Sequence, residues 1–169
     1  YHNIPDEITW YKNQVVQRKT PSRAEEVEFI TKAQQGDKEA SDFMIENNLS
    51  LVMAIVDKYC RKESDYLDLV QEGNLGLIKA INKFDSTKNT SFSTYAYHWI
   101  RQSVARAIQE QFKTINVPVP VYEDYNKCIE VEQKLTAQLQ RMPTLDEISK
   151  ASNFSINYIN HIKKSMKSI

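Results

Sequence analysis

A chain of 169 residues with 41% hydrophobic and 26% charged side chains can bury the core of one or two domains, and it holds no apolar run of membrane length. Net charge is zero, 22 basic against 22 acidic residues, so bulk electrostatics draws it to no polyanion; the local excess falls in residues 79–113 and in the last ten, 160–169. Two cysteines without a CxxC and histidines without ligand spacing exclude a disulfide scaffold and a zinc site and fit a reducing cytoplasm.

The N-terminus, YHNIPDEITW, is polar, lacks a signal-peptide core and lacks an initiator Met, so the chain is expected to be a piece of something longer. Three glycines and little strand-like alternation predict an all-α fold. A first helix is expected over about Asp6 to Gln17. Thr20-Pro21-Ser22 followed by Glu25 and Glu26 starts the next, with the acids facing the positive end of its dipole. Gly36 closes it and Asp37 caps a helix over about Lys38 to Arg61, interrupted by Asn47 and Asn48, a pair that marks a solvated face, a kink or a polar pocket.

SDYLDLVQEGNLGLIKAINKF predicts another helix, with Tyr66, Leu69, Val70, Gly73, Leu77, Ala80 and Ile81 as its core stripe. Its opposite face carries Asp68, Gln71, Glu72 and Leu75, with Ile78 at the border. Acids and an amide around aliphatic residues suggest a docking surface for a partner helix, against the blander reading of a solvated face.

A polar loop, Ser86 to Thr90, leads into the densest aromatic and basic cluster. In the helix after it, Tyr97, Ile100, Val104, Ala107 and Ile108 form a core stripe. Tyr95, Trp99, Gln102 and Arg106 share the other side, aligned with Phe92. Rings interleaved with Arg101, Arg106 and Lys113 suit unstacked bases and a phosphate backbone. The competing reading is that this second side is also buried, in a multi-layer bundle.

Beyond it, TINVPVPVY is expected to be extended, because Pro118 and Pro120 disfavour helix, and to mark a domain boundary. A helix over about Val121 to Gln140 follows. Thr144 and Glu147 predict a capping box, and Asn153-Phe154-Ser155 a turn between two short helices, a helix-turn-helix-like pair.

In order, ENNLSLVMAIVDKY, DLVQEGNLGLIKAINKFD, FSTYAYHWIRQSVARAI and TINVPVPV resemble the central domains of the primary-type bacterial sigma factors of RNA polymerase. The likeness runs from about Ser22 to Pro120, and more loosely to the end. It implies a promoter-binding helical bundle, residues 1–115, and a small three-helix domain, residues 116–169, in a promoter-recognition subunit rather than an enzyme. The implied partners are core RNA polymerase, through the clamp helices of its β′ subunit, and the single-stranded non-template minus-ten element; an anti-sigma regulator also fits. No metal or other cofactor is implied.

Carried over by position, Asp68, Gln71, Glu72 and Asn74 match the polymerase surface, beside Leu75 and Ile78 of the docking face. Phe92, Tyr95 and Trp99 match aromatics that engage the melted strand, Tyr95 stacking on a flipped adenine with Thr94 and Lys88 near it. Asn48, Leu51, Glu26 and Ser93 match a pocket for a flipped thymine. Gln102 matches the upstream end of the element, Arg101 and Arg106 fit backbone contacts, and Glu123 matches an extended minus-ten position. The chain departs from the family pattern at His98, where the primary members pair two tryptophans, and at Thr90, Asn116 and Pro120, which suggests an alternative or divergent member.

The implied mechanism is capture of transiently open base pairs, each stacked base contributing about 1–3 kcal/mol. It requires Phe92, Tyr95 and Trp99 to stay exposed beside an open cleft, and it predicts that Tyr95→Ala loses single-stranded DNA while keeping polymerase. Two rivals are a dimeric repressor reading duplex DNA through the C-terminal helix pair, and an adaptor that holds polymerase without opening DNA.

Overall fold

The computed structural model describes residues 21–60, 62–111 and 119–167, and every regular element among them is helical. These are α1 (Arg23–Gln34), α2 (Lys38–Asn47), α3 (Leu49–Tyr59), a 3-10 turn (Glu63–Asp65), α4 (Tyr66–Lys83), α5 (Phe92–Gln111), α6 (Val119–Leu139), α7 (Leu145–Ser152) and α8 (Ile156–Lys167). The helix expected over Asp6 to Gln17 lies outside the described residues. Contacts divide the chain into two compact units between Ala105 and Arg106.

In the first unit, side chains set the helix starts. Ser22 Oγ accepts from the Glu25 N–H at 3.3 Å, and Asp37 accepts from Glu39 and Ala40 at 3.0 and 3.3 Å, each satisfying donors that a helix start leaves over. Gly36 takes φ 94 between them, a left-handed conformation suited to glycine.

The single helix expected over Lys38 to Arg61 is two helices. Asn48, with φ −109 and ψ 7, parts them, and side-chain competition is the cause. The amides of Asn47 and Asn48 donate to the carbonyls of Phe43 and Met44 at 2.7 and 2.8 Å. The backbone N–H of Asn48 bonds instead to Ile45 O, three residues back, which tightens and ends α2. Of the readings of the Asn pair, the kink describes the backbone.

α4 buries the predicted stripe together with Gly76. A Cβ on Gly76 would stand 2.6 Å from the Trp99 carbonyl oxygen and 3.0 Å from Ile100 Cα, so the backbone of α5 lies directly against α4. The last carbonyls of α4 are closed from outside the helix. Gln34 Nε2 donates to Ile81 O at 2.9 Å and Phe84 O at 2.8 Å, and the Tyr95 hydroxyl donates to Lys83 O at 3.2 Å.

In the second unit, α6 begins at Val119, so Pro120 stands within a helix, contrary to its expected extended conformation. It occupies the first turn, where a missing N–H breaks no intrahelical bond; residues 112–118 lie outside the described ones. Tyr125, Cys128 and Ile129 of α6 pack with Ile148 of α7 and Ile159 and Ile162 of α8. The capping box forms: Thr144 Oγ1 accepts from the Glu147 N–H at 3.3 Å while Glu147 Oε1 accepts from the Thr144 N–H at 3.1 Å. Asn153, at φ 63, turns the chain from α7 into α8.

Candidate functional site

Two surfaces of the first unit hold most of the residues singled out above. On α4, Asp68, Gln71 and Glu72 are exposed and Ile78 is half-buried. Leu75 is 54% exposed and Leu67 46%; Leu67 was not among the expected residues. At about 100° per residue, Leu67, Gln71, Leu75 and Ile78 fall within an arc of roughly 80°. Two of the four large hydrophobic side chains exposed among the described residues thus share one face, which favours a docking strip over scattered surface leucines. Asn74 at its edge is half-buried, and its Oδ1 is buried without a hydrogen-bond partner among the described residues.

On α5 the row of rings is not exposed. Phe92, Tyr95 and Trp99 are 1%, 0% and 2% accessible, which overturns the expectation of wet rings beside an open cleft. Phe84, just beyond α4, packs on them, edge-on to Phe92 at 5.3 Å and tilted against Tyr95 at 5.5 Å. Tyr95 in turn meets Trp99 at 6.1 Å. Ile100 and Val104 on the other side of α5 are buried as well, so the helix is enclosed on two sides and the multi-layer reading holds for its rings. Unpaired bases have no access to these rings in this conformation.

What α5 turns outward is polar. Ser93 and Thr94 are exposed; Tyr97, His98, Arg101 and Gln102 are half-buried; Lys88 in the preceding loop is exposed. Asp85 shapes that loop by accepting from the N–H and hydroxyl of Thr87 at 2.9 and 2.6 Å, which holds its carboxyl below the usual range. The Ser91 and Thr94 hydroxyls pair at 2.7 Å at the start of α5.

Thr94, His98 and Arg101 fall in one arc of about 60°. Tyr97 and His98 are the aromatic side chains of α5 that reach solvent, in edge contact at 5.7 Å, and the Lys58 ammonium lies 5.8 Å from the Tyr97 centroid. Burial, and then the charge of Arg101, push the His98 pKa down, which favours neutral imidazole. His98 Nδ1 and Trp99 Nε1 are buried with no hydrogen-bond partner among the described residues.

Residues matched to a second base pocket are dispersed over α1, the α2–α3 junction, α3 and α5. Asn48 is buried, Leu51 and Glu26 are half-buried and Ser93 is exposed. Burial raises the Glu26 carboxyl, opposed by Arg23. In the second unit, Arg106 lies 3.9 Å from Glu110 and Glu123 is exposed.

Among the described residues no cluster of His, Cys, Asp or Glu could hold a metal ion, and no helix is long and apolar enough to cross a membrane. Residues 44–113 match the family described as Sigma-70 region 2. The chain is 41% identical over 161 residues to the RNA polymerase sigma factor SigA of a Bacillus species, and 40% identical over 161 residues to the protein of that name from Clostridium acetobutylicum. Each match covers 95% of this chain but 43% of the relative, so the chain spans less than half the length of those relatives. With residues 44–113 as its region 2, the chain belongs to the sigma-70 family of RNA polymerase sigma factors.

Proposed function

We propose that this chain is the part of a sigma factor that docks on core RNA polymerase through α4 and engages promoter DNA at the minus-ten element through the outward strip of α5, serving transcription initiation without catalysing a step. The exposed Leu67–Leu75 face around Gln71 carries the proposal, because it lies inside the segment that matches region 2. Leucines with Gln71 between them and Asp68 and Glu72 alongside suit a partner helix that offers apolar side chains flanked by cations.

The promoter part needs a different route from stacking on the buried rings. Thr94, His98, Arg101 and Gln102, with Lys88 before them, offer hydrogen-bond donors, acceptors and cations along one edge. Tyr97 and His98 are the side chains there on which a displaced base stacks, for about 1–3 kcal/mol each. His98 Nδ1, buried and without a hydrogen-bond partner among the described residues, is a group that a bound base edge would satisfy. Phe92, Tyr95 and Trp99 then act as the packed floor that holds the strip straight. Arg106 is assigned to a backbone contact, Glu123 to the extended minus-ten motif, and Glu26, Asn48, Leu51 and Ser93 to the thymine pocket, on their family positions alone.

Leu75→Asp tests the docking assignment. It should weaken capture by core polymerase at least tenfold and abolish run-off transcription while leaving the unfolding midpoint unchanged, since the side chain is exposed. Undiminished capture refutes the assignment.

A further inference from the structure

We infer that Gln34 is a positioning residue for promoter DNA: its side-chain amide sets the turn that presents Lys88 to the strand. This rests on the minus-ten reading and adds to it a residue of α1, outside the segment 44–113 that matches region 2.

A helix leaves its last carbonyls without intrahelical donors, and a left-handed residue after the last turn commonly turns backbone N–H groups back onto them. α4 has no such ending. Its C-cap is Phe84, with φ −69 and ψ 132, so the chain leaves extended and the donors come from side chains of other helices. Gln34 Nε2 donates to Ile81 O at 2.9 Å and to Phe84 O at 2.8 Å, one amide hydrogen serving each carbonyl. The Tyr95 hydroxyl serves Lys83 O between them at 3.2 Å.

Phe84 O belongs to the same peptide unit as the Asp85 N–H, so the Gln34 amide holds the chain where the turn begins. Local bonds carry that constraint forward. Asp85 O accepts from the Lys88 N–H at 3.3 Å, and the Asp85 carboxylate accepts from the N–H and hydroxyl of Thr87. The Phe84 ring is buried against Phe92 and Tyr95, which fixes the same residue from the side of α5. Lys88 is exposed, and a long, flexible ammonium side chain is aimed chiefly by the backbone that carries it. Without the amide, Ile81 O and Phe84 O lose their donor, the end of α4 frays, and the Lys88 cation spreads over many positions.

Anisotropy of a labelled TATAAT-type single strand with the full chain over a salt series tests this, using Gln34→Met, Lys88→Ala and the double variant. Methionine has the length of glutamine without its amide, and the change alters no charge. Lys88→Ala should weaken binding about threefold and lower the salt slope by about 0.7, the loss expected for one phosphate contact on a single strand. Gln34→Met should weaken binding about twofold to threefold and lower the slope by most of the same amount. A protein that is merely destabilised loses affinity with its slope intact. The double variant should bind like Lys88→Ala alone, because the two residues act through one contact. Capture by core polymerase should stay at the parental level in every variant, and Gln35→Met, at the neighbouring exposed glutamine, is the control and should change nothing.

The inference is overturned if Gln34→Met keeps the parental slope, if the two losses add in the double variant, if polymerase capture falls in parallel, or if Gln35→Met does the same. A parent chain that does not bind the strand refutes the minus-ten reading and this inference together. A defective Lys88→Ala beside a parental Gln34→Met refutes this inference alone.

Discussion

Replacing Tyr95 by Ala separates a ring that supports the fold from a ring that waits for a base. Its side chain is fully buried, touches Phe84 and Trp99, and donates to Lys83 O at the end of α4. Truncating a buried aromatic to Ala costs about 3–5 kcal/mol through lost transfer energy and the cavity left behind. Stranding the hydrogen-bonded carbonyl adds about 1 kcal/mol.

Against a whole-domain stability of roughly 5–15 kcal/mol, that is about a quarter of the total or more. Tyr95→Phe keeps the ring and should lose only about 1 kcal/mol. Urea unfolding of both variants, with constant m-values, measures the two losses. DNA and polymerase binding of Tyr95→Ala should then fall together as the first unit unfolds. A Tyr95→Ala protein as stable as the parent, deficient only in single-stranded DNA, would refute the supporting role and restore base stacking on that ring.

Gly76→Ala should destabilise the first unit by about 1–3 kcal/mol despite the better helix propensity of Ala, because its Cβ meets backbone atoms of α5 that cannot rotate away; parental stability in urea would show that α4 and α5 are less closely packed. In the second unit, Arg141 and the Thr144 cap hold Glu147 down at about 2. Its depressed folded value means that its contribution is complete above the ordinary carboxylate pKa of 4.5 and is lost as pH falls toward 2. Thr144→Ala should cost about 1 kcal/mol at neutral pH, and a pH series of melts should show its difference from the parent shrinking in acid.

Much of the fold was legible because it is written in short-range chemistry. Ser22, Asp37 and Thr144 each cap the helix their spacing announces, and the period of α4 separates Gly73 and Leu77 from Gln71 and Leu75. The break at Asn48 was half legible: the Asn pair signalled trouble, but whether its amides would take the Phe43 and Met44 carbonyls depends on local geometry.

The rings of α5 misled for a different reason. Periodicity gives the angular position of Tyr95 but not what lies above it, and Phe84, eleven residues earlier, is the cover. Leu67 was overlooked because it adjoins the core residue Tyr66, although it stands one turn before Gln71 and two before Leu75 on the same face. The polar strip was legible only as separate residues, because Thr94, His98 and Arg101 become the outward face of α5 only once the rings beside them are buried.

The Gln34 amide, which bonds to carbonyls 47 and 50 residues later, makes α1 a keystone for the cover over the rings of α5. Closing a loop of that length costs roughly 3–4 kcal/mol of chain entropy, and Phe84 settles over the rings at the same closure. A cut made within α1 would therefore loosen the lid, and protease sensitivity would surface near Phe84, half a unit away in sequence from the wound.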